Sequence, residues 1–170
     1  MTTEEIKLHP LNQKWSFFSI AIRDRYYDEM LCNIPIENVE DLWEIVRKLP
    51  TLDKISGYNI AFFKDPFKPH YDDINTRIFT IRLDNRDPEL FYKLIAFSVG
   101  GEFDHKVGEG FRGLYIIVKD RTKISYAFWF DPAKVEDGNK VKQCIYDEIG
   151  LQMDIDIDKL IDKSYMTQNK

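Results

Sequence analysis

A chain of 170 residues with 44% apolar content is the size of one ordinary domain and can build one sizeable core. Its net charge of −5 excludes a protein that coats nucleic acid through the phosphates, which needs an extended basic surface, but leaves recognition of one nucleotide open. No apolar run is long enough to cross a membrane, MTTEEIKLHP is not a signal peptide, and Cys32 and Cys144 have neither metal-ligand nor disulfide spacing.

These features predict a single domain over 1–170 with loose ends at 1–8 and 164–170, reduced thiols, and residence in the cytosol or nucleus with no membrane partner. In chain order, KWSFFSIAI over 14–22 is apolar and β-prone and predicts a strand. NVEDLWEIVRKLP then predicts a helix, with Asn38 as N-cap, acids in the first turn, and Val39, Leu42, Trp43, Val46 and Leu49 at helical spacing before Pro50. YNIAFF at 58–63 and RIFTIRL at 77–83 read as strands. DPELFYKLIAFSVGG predicts a second helix capped by Asp87, with Pro88 at its first position, an apolar face of Leu90, Phe91, Leu94 and Ile95, and a stop at Gly100–Gly101. Strands GLYIIVK at 113–119 and ISYAFWF at 124–130 follow, joined by the polar hairpin DRTK. A third helix over about 137–149 turns Val141, Cys144, Ile145 and Ile149 inward, with Gly150 just past its end. MDIDIDK then alternates as a half-exposed strand with Met153, Ile155 and Ile157 on one face. Strands joined by hairpins or single helices predict an α+β fold, one largely antiparallel sheet backed by three helices.

Little in the sequence supports catalysis. GEGFRG at 108–113 formally matches G-x-G-x-x-G, but it precedes a strand where a dinucleotide site requires it to open a helix, so it reads as a loop. His9, His70 and His105 are too scattered for metal ligation, and Asp104–His105 reads as a solvated loop pair rather than a catalytic dyad. No catalytic residue, metal or cofactor is expected. The remaining constellation is a ring followed by acids, Tyr71-Asp72-Asp73, in a proline-punctuated loop. Tyr71 can stack on a planar ligand while a carboxylate accepts from its edge, and guanine, with adjacent N1–H and N2–H donors, fits that description. Lys119, Arg121 and Lys123 cluster at a hairpin that can face a phosphate chain, and Arg77 closes the acidic loop.

Four segments share their order with one family: HPLNQKW at 9–15, VEDLW at 39–43, FKDPFKPHYDD at 63–73, and GLYIIVK followed by the strand carrying Trp129. Over residues 9 to about 157 the chain resembles the cap-binding translation initiation factor 4E family. The resemblance implies a cupped antiparallel sheet of about eight strands with three helices on its convex back, and the 7-methylguanosine cap of mRNA in the concave face. It implies a base sandwiched between two rings, here Tyr71 and either Tyr26 or its neighbour Tyr27, with Asp72 on the guanine edge, Trp129 at the methyl group, and Lys119, Arg77, Arg121 and Lys123 on the phosphates. On the back it implies a surface of His9, Pro10, Val39, Trp43 and Leu94. That surface receives a helix of initiation factor 4G or of a repressor, bearing a tyrosine, four spacers, leucine and a hydrophobe. The family's sandwich rings are tryptophans. Tyrosine is a weaker cation–π surface, and Asp72 is one methylene shorter than the family's glutamate, so weaker cap binding is expected. A non-enzymatic initiation factor is the leading expectation, a repressor of the 4E-homologous class the close rival, and a guanine-nucleotide hydrolase the reading from another class.

Overall fold

The computed structural model describes residues 7–21, 29–69, 76–118, 121–153 and 157–165. Tyr26, Tyr27, Tyr71, Asp72, Asp73 and Lys119 lie outside the described residues. Strand β1 is Pro10–Ala21, β2 is Glu29–Asn38, β3 is Tyr58–Lys64, β4 is Thr76–Leu83, β5 is Phe111–Ile117, β6 is Ile124–Phe130 and β7 is Ile161–Tyr165. Helix α1 is Val39–Lys48, α2 is Pro88–Val99, α3 is Glu102–Val107 and α4 is Gly138–Met153. The strands form one seven-stranded sheet in the order β2-β1-β3-β5-β6-β4-β7, with every pairing antiparallel.

The two long predicted helix starts form as their sequences dictate. The Asn38 side chain accepts from the Asp41 backbone N–H, and the Asp87 side chain accepts from those of Glu89 and Leu90 with Pro88 in the first turn. Leu42, Ile45 and Val46 of α1, most of α2, Phe103 of α3, and Val141, Ile145 and Ile149 of α4 enter one large core with the inward side chains of the strands. All four helices therefore cover the same face of the sheet. Alternation along the strands sends Phe18, Ile20, Ala61, Phe63, Ile78, Tyr115, Ala127 and Trp129 to the opposite face, where they form a second, smaller cluster.

The structure departs from the sequence reading at β2, α3, α4 and β7. Strand β2 was not foreseen because Pro35 interrupts it; as an edge strand it tolerates a residue with no N–H to donate. Residues 102–107, read as loop, form α3, whose start follows Gly101 at φ 86. Helix α4 runs through Gly150 to Met153, and the last described strand is β7. Ile157–Lys159 form a 3-10 turn where the sequence reads MDIDIDK as a strand, and residues 154–156 of that reading lie outside the described residues. Inside the helix Gly150 leaves room for the Tyr146 ring, which a Cβ there would approach to 2.3 Å. Cys144 is half-buried, and burial pushes its thiol up to about 11, which keeps it protonated and inert.

Candidate ligand face and partner surface

The second cluster is built around one row across the sheet. Phe63 of β3 pairs with Gly113 of β5, and Gly113 pairs with Trp129 of β6, which pairs in turn with Ile78 of β4. The Phe63 and Trp129 rings meet edge to face, centroids 5.2 Å apart, over Gly113. A Cβ at Gly113 would come 2.4 Å from the Phe63 ring, so the glycine is what lets the rings close. Tyr115 stacks on Trp129 at 6.0 Å and 13°. Trp129 is thus 1% exposed and sits at the centre of the cluster on this face.

Strands β5 and β6 lie between β3 and β4, so the end of β3 and the start of β4 stand on either side of the ends of β5 and β6; of the residues between Lys64 and Thr76, 65–69 are described. The outgoing foot is firmly held. Asp65 N–H donates to the Lys14 carbonyl at 3.0 Å, Ser16 Oγ donates to Asp65 Oδ1 at 2.8 Å, and Phe67 N–H donates to the Lys64 carbonyl at 2.8 Å. Phe67 packs against the second cluster. A cavity of about 550 Å³ opens beside this foot, lined by Lys14, Lys64, Asp65, Asp104, Arg112 and Asp131 among others.

The basic residues divide. Arg121 and Lys123 are exposed at the β5–β6 hairpin, and the Lys123 carbonyl accepts from Arg86 Nε, whose Nη1 also donates to the carbonyls of Leu52 and Ile55. Arg77 belongs elsewhere. Its guanidinium makes a two-point ion pair with Asp162 of β7, 3.0 and 2.7 Å, donates to the Val135 carbonyl, and lies over Phe79 on the helix-covered face. It closes the β4–β7 side of the sheet and does not share a face with Trp129. Asp104 also has a different partner from the one its sequence neighbour suggested. Its Oδ2 is 2.5 Å from Lys64 Nζ, so the carboxylate serves a buried lysine and not His105.

On the helix side, His9, Pro10, Val39 and Trp43 are brought together. Val39 N–H donates to the His9 carbonyl at 2.8 Å, Pro10 pairs with Asn38, and Trp43 follows Val39 by one helical turn, half-buried against the core. Leu94 is 1% exposed and belongs to the core; on α2 the exposed ring is Tyr92, 44% exposed, which the apolar periodicity counted on neither face. A second unforeseen feature is a cavity of about 590 Å³ between β2 and the other flank of α1, lined by Phe17, Ile34, Pro35, Ile45 and Leu49 with Glu37 and Glu44 at its rim.

His9 is fastened to α1 through Glu40. The His9 backbone N–H donates to Oε2 at 3.0 Å and Nδ1 lies 2.5 Å from Oε1. The side-chain hydrogen bond with His9 and then that backbone N–H hold the Glu40 carboxyl down to about 2, from 4.5. A carboxyl lowered in the folded state contributes stability that is present above pH 4.5 and lost as pH falls toward 2. Glu40→Gln is therefore expected to unfold more readily than the parent above pH 4.5, with the difference closing toward pH 2, as urea unfolding across that range would read.

One antiparallel sheet with every described helix on one face, and an aromatic cluster on the other, places the molecule in the single-sheet α+β class. The chain belongs to the eukaryotic initiation factor 4E family, whose model matches residues 10–169. Solved structures share the fold. A Caenorhabditis elegans eIF4E-3 chain, from a complex with the 4E-binding protein Mextli and a cap analog, is 20% identical over 85% of this chain and 87% of its own, with a TM-score of 0.70. Ascaris suum eIF4E-3 with the m7G cap is 16% identical over 96% and 95%, TM-score 0.72. A schistosome eIF4E, complexed with m7GpppA and 4E-BP, is 16% identical over 98% and 95%, TM-score 0.71. No curated protein sequence matches the chain.

Proposed function

We propose that the protein binds the 7-methylguanosine cap of mRNA on the sheet face opposite the helices and, in the cytoplasm, links it to the translation machinery through a partner helix received by α1. The observation that carries this reading is where the two described ends of the 65–75 connection are anchored. Strand β3 ends just after Phe63 and β4 begins two residues before Ile78, both of the cluster around Trp129, and the sequence between them holds Tyr71 and Asp72. Tyr71 and the ring at Tyr26 or Tyr27 would clasp the cationic purine, Asp72 would accept from its N1–H and N2–H, and Lys119, Arg121 and Lys123 would meet the phosphates. Family membership and the cap complexes of the Ascaris and schistosome proteins support it.

On this reading the protein is a binder and not an enzyme. Retention on immobilised 7-methyl-GTP, with release by free cap analogue at roughly tenfold lower concentration than by GTP and with the nucleotide recovered intact, is the expected result. Failure to be retained, or recovery of hydrolysed nucleotide, would refute it.

His9, Pro10, Val39 and Trp43 would form the surface for a helix carrying tyrosine, four spacers, leucine and a hydrophobe. Trp43→Ala is expected to weaken binding of such a peptide roughly thirtyfold, the loss of one aromatic anchor, without altering retention on the cap resin. Tyrosine in place of a sandwich tryptophan also fits a repressor of the 4E-homologous class. Pull-down of factor 4G against a silencing partner separates the two roles.

A further inference from the structure

Arg112, outside every site assigned above, touches both ends of the 65–75 connection. It stands at the bulge between Phe111 and Gly113 of β5, on the same face as Trp129. Its guanidinium carbon lies 4.8 Å from the Phe67 ring centroid, just past the outgoing foot. Nη1 donates to Thr76 Oγ1 at 3.1 Å, the returning foot and first residue of β4. Nη2 is 3.8 Å from Asp131 Oδ1, immediately after β6. The side chain is 13% exposed.

The topology explains why such a contact matters. Three strand spacings separate β3 from β4, about 14 Å, whereas the eleven residues between Lys64 and Thr76 can reach roughly 36 Å. Chain length therefore does not fix the path, and contacts at the feet must. Arg112 lies at the end of the first strand crossed, and one planar, always-charged group stacks on one foot while donating to the other.

We infer that Arg112 is a positioning residue: a strut that ties Phe67 and Thr76 to the ends of β5 and β6 and thereby fixes the two points between which the segment holding Tyr71 and Asp72 must run. Its consequence for ligand binding rests on the cap-binding reading; the strut itself does not. A pre-set connection avoids an ordering cost on binding, so loss of the strut weakens affinity without removing any ligand contact.

The test uses the full chain with Arg112→Lys, Arg112→Met, Thr76→Val and the double variant Arg112→Met/Thr76→Val, read by hydrogen exchange of peptides covering 65–76 and by 7-methyl-GTP affinity. Exchange over 65–76 is expected to rise on the order of tenfold in both Arg112 variants, while the central strands β3 and β6 stay protected. Affinity is expected to fall roughly tenfold in the Arg112 variants and about threefold in Thr76→Val. The double variant should be no weaker than Arg112→Met, because the two residues act through one contact. Unchanged exchange over 65–76 in Arg112→Lys overturns the strut, and that variant, which keeps the charge, decides the matter if Arg112→Met does not fold. A parent that shows no preference for 7-methyl-GTP over GTP sinks the cap-binding reading alone, and the exchange result still decides the strut.

Discussion

Tyr71→Ala is expected to weaken 7-methyl-GTP binding roughly a hundredfold and GTP binding considerably less. Stacking on an aromatic ring is worth about 1–3 kcal/mol per base, and the positive charge that N7 methylation puts on the purine adds about 0.5–2 kcal/mol against an electron-rich face. Removing one ring forfeits both with the methylated base, but only stacking with the unmethylated one. The ratio of the two affinities should therefore shrink along with the affinity itself. Tyr71→Trp should move the other way and tighten 7-methyl-GTP by about threefold to tenfold, because tryptophan offers the stronger cation–π surface. Fluorescence titration of the three proteins with both nucleotides reads all of this. Equal affinity of Tyr71→Trp and the parent would mean that ring identity does not limit binding.

The second large effect concerns stability. Lys64 is 7% exposed, and its ammonium sits 5.8 and 5.7 Å from the ring centroids of Trp15 and Phe111, with Asp104 Oδ2 at 2.5 Å. Asp104→Ala leaves that cation among aromatic rings without its counter-charge. Breaking a buried pair from one side costs several kcal/mol, and the 29% exposure of the Asp104 side chain lowers the expectation to roughly 2–3 kcal/mol. Replacing both partners, Lys64→Met with Asp104→Ala, should recover most of the loss, since an apolar side chain between two rings needs no counter-ion. Urea unfolding of the two variants against the parent measures both steps. A single variant as stable as the parent would show that the pair is not what holds α3 to the end of β3.

Much of this architecture was legible because it rests on local chemistry. Asn38 and Asp87 announced their helices as capping side chains, and ISYAFWF announced β6 with the bounds that the structure gives it. What escaped depended on distant partners. Strand β2 forms although Pro35 argues against a strand, because β1 pairs with it on one side and nothing need pair on the other. Leu94 looked available on an apolar helical face, yet that face is the buried one, and the adjacent Tyr92 carries the exposure. Arg77 looked like a phosphate contact by position in the chain, but its neighbour in space is Asp162, 85 residues on. Asp104 and His105 stood side by side in sequence, whereas the carboxylate's real partner is Lys64, 40 residues back. Arg112 could not have been singled out from sequence at all, since its role follows from which strands lie between β3 and β4.

The central claim is that this face prefers a positively charged guanine. Calorimetric titration of the parent chain with 7-methyl-GTP and with GTP under one buffer tests it most directly. The methylated nucleotide should bind roughly tenfold more tightly, a difference of about 1.4 kcal/mol, within the range that cation–π attraction supplies. Equal affinities, or no binding of either, would contradict the account.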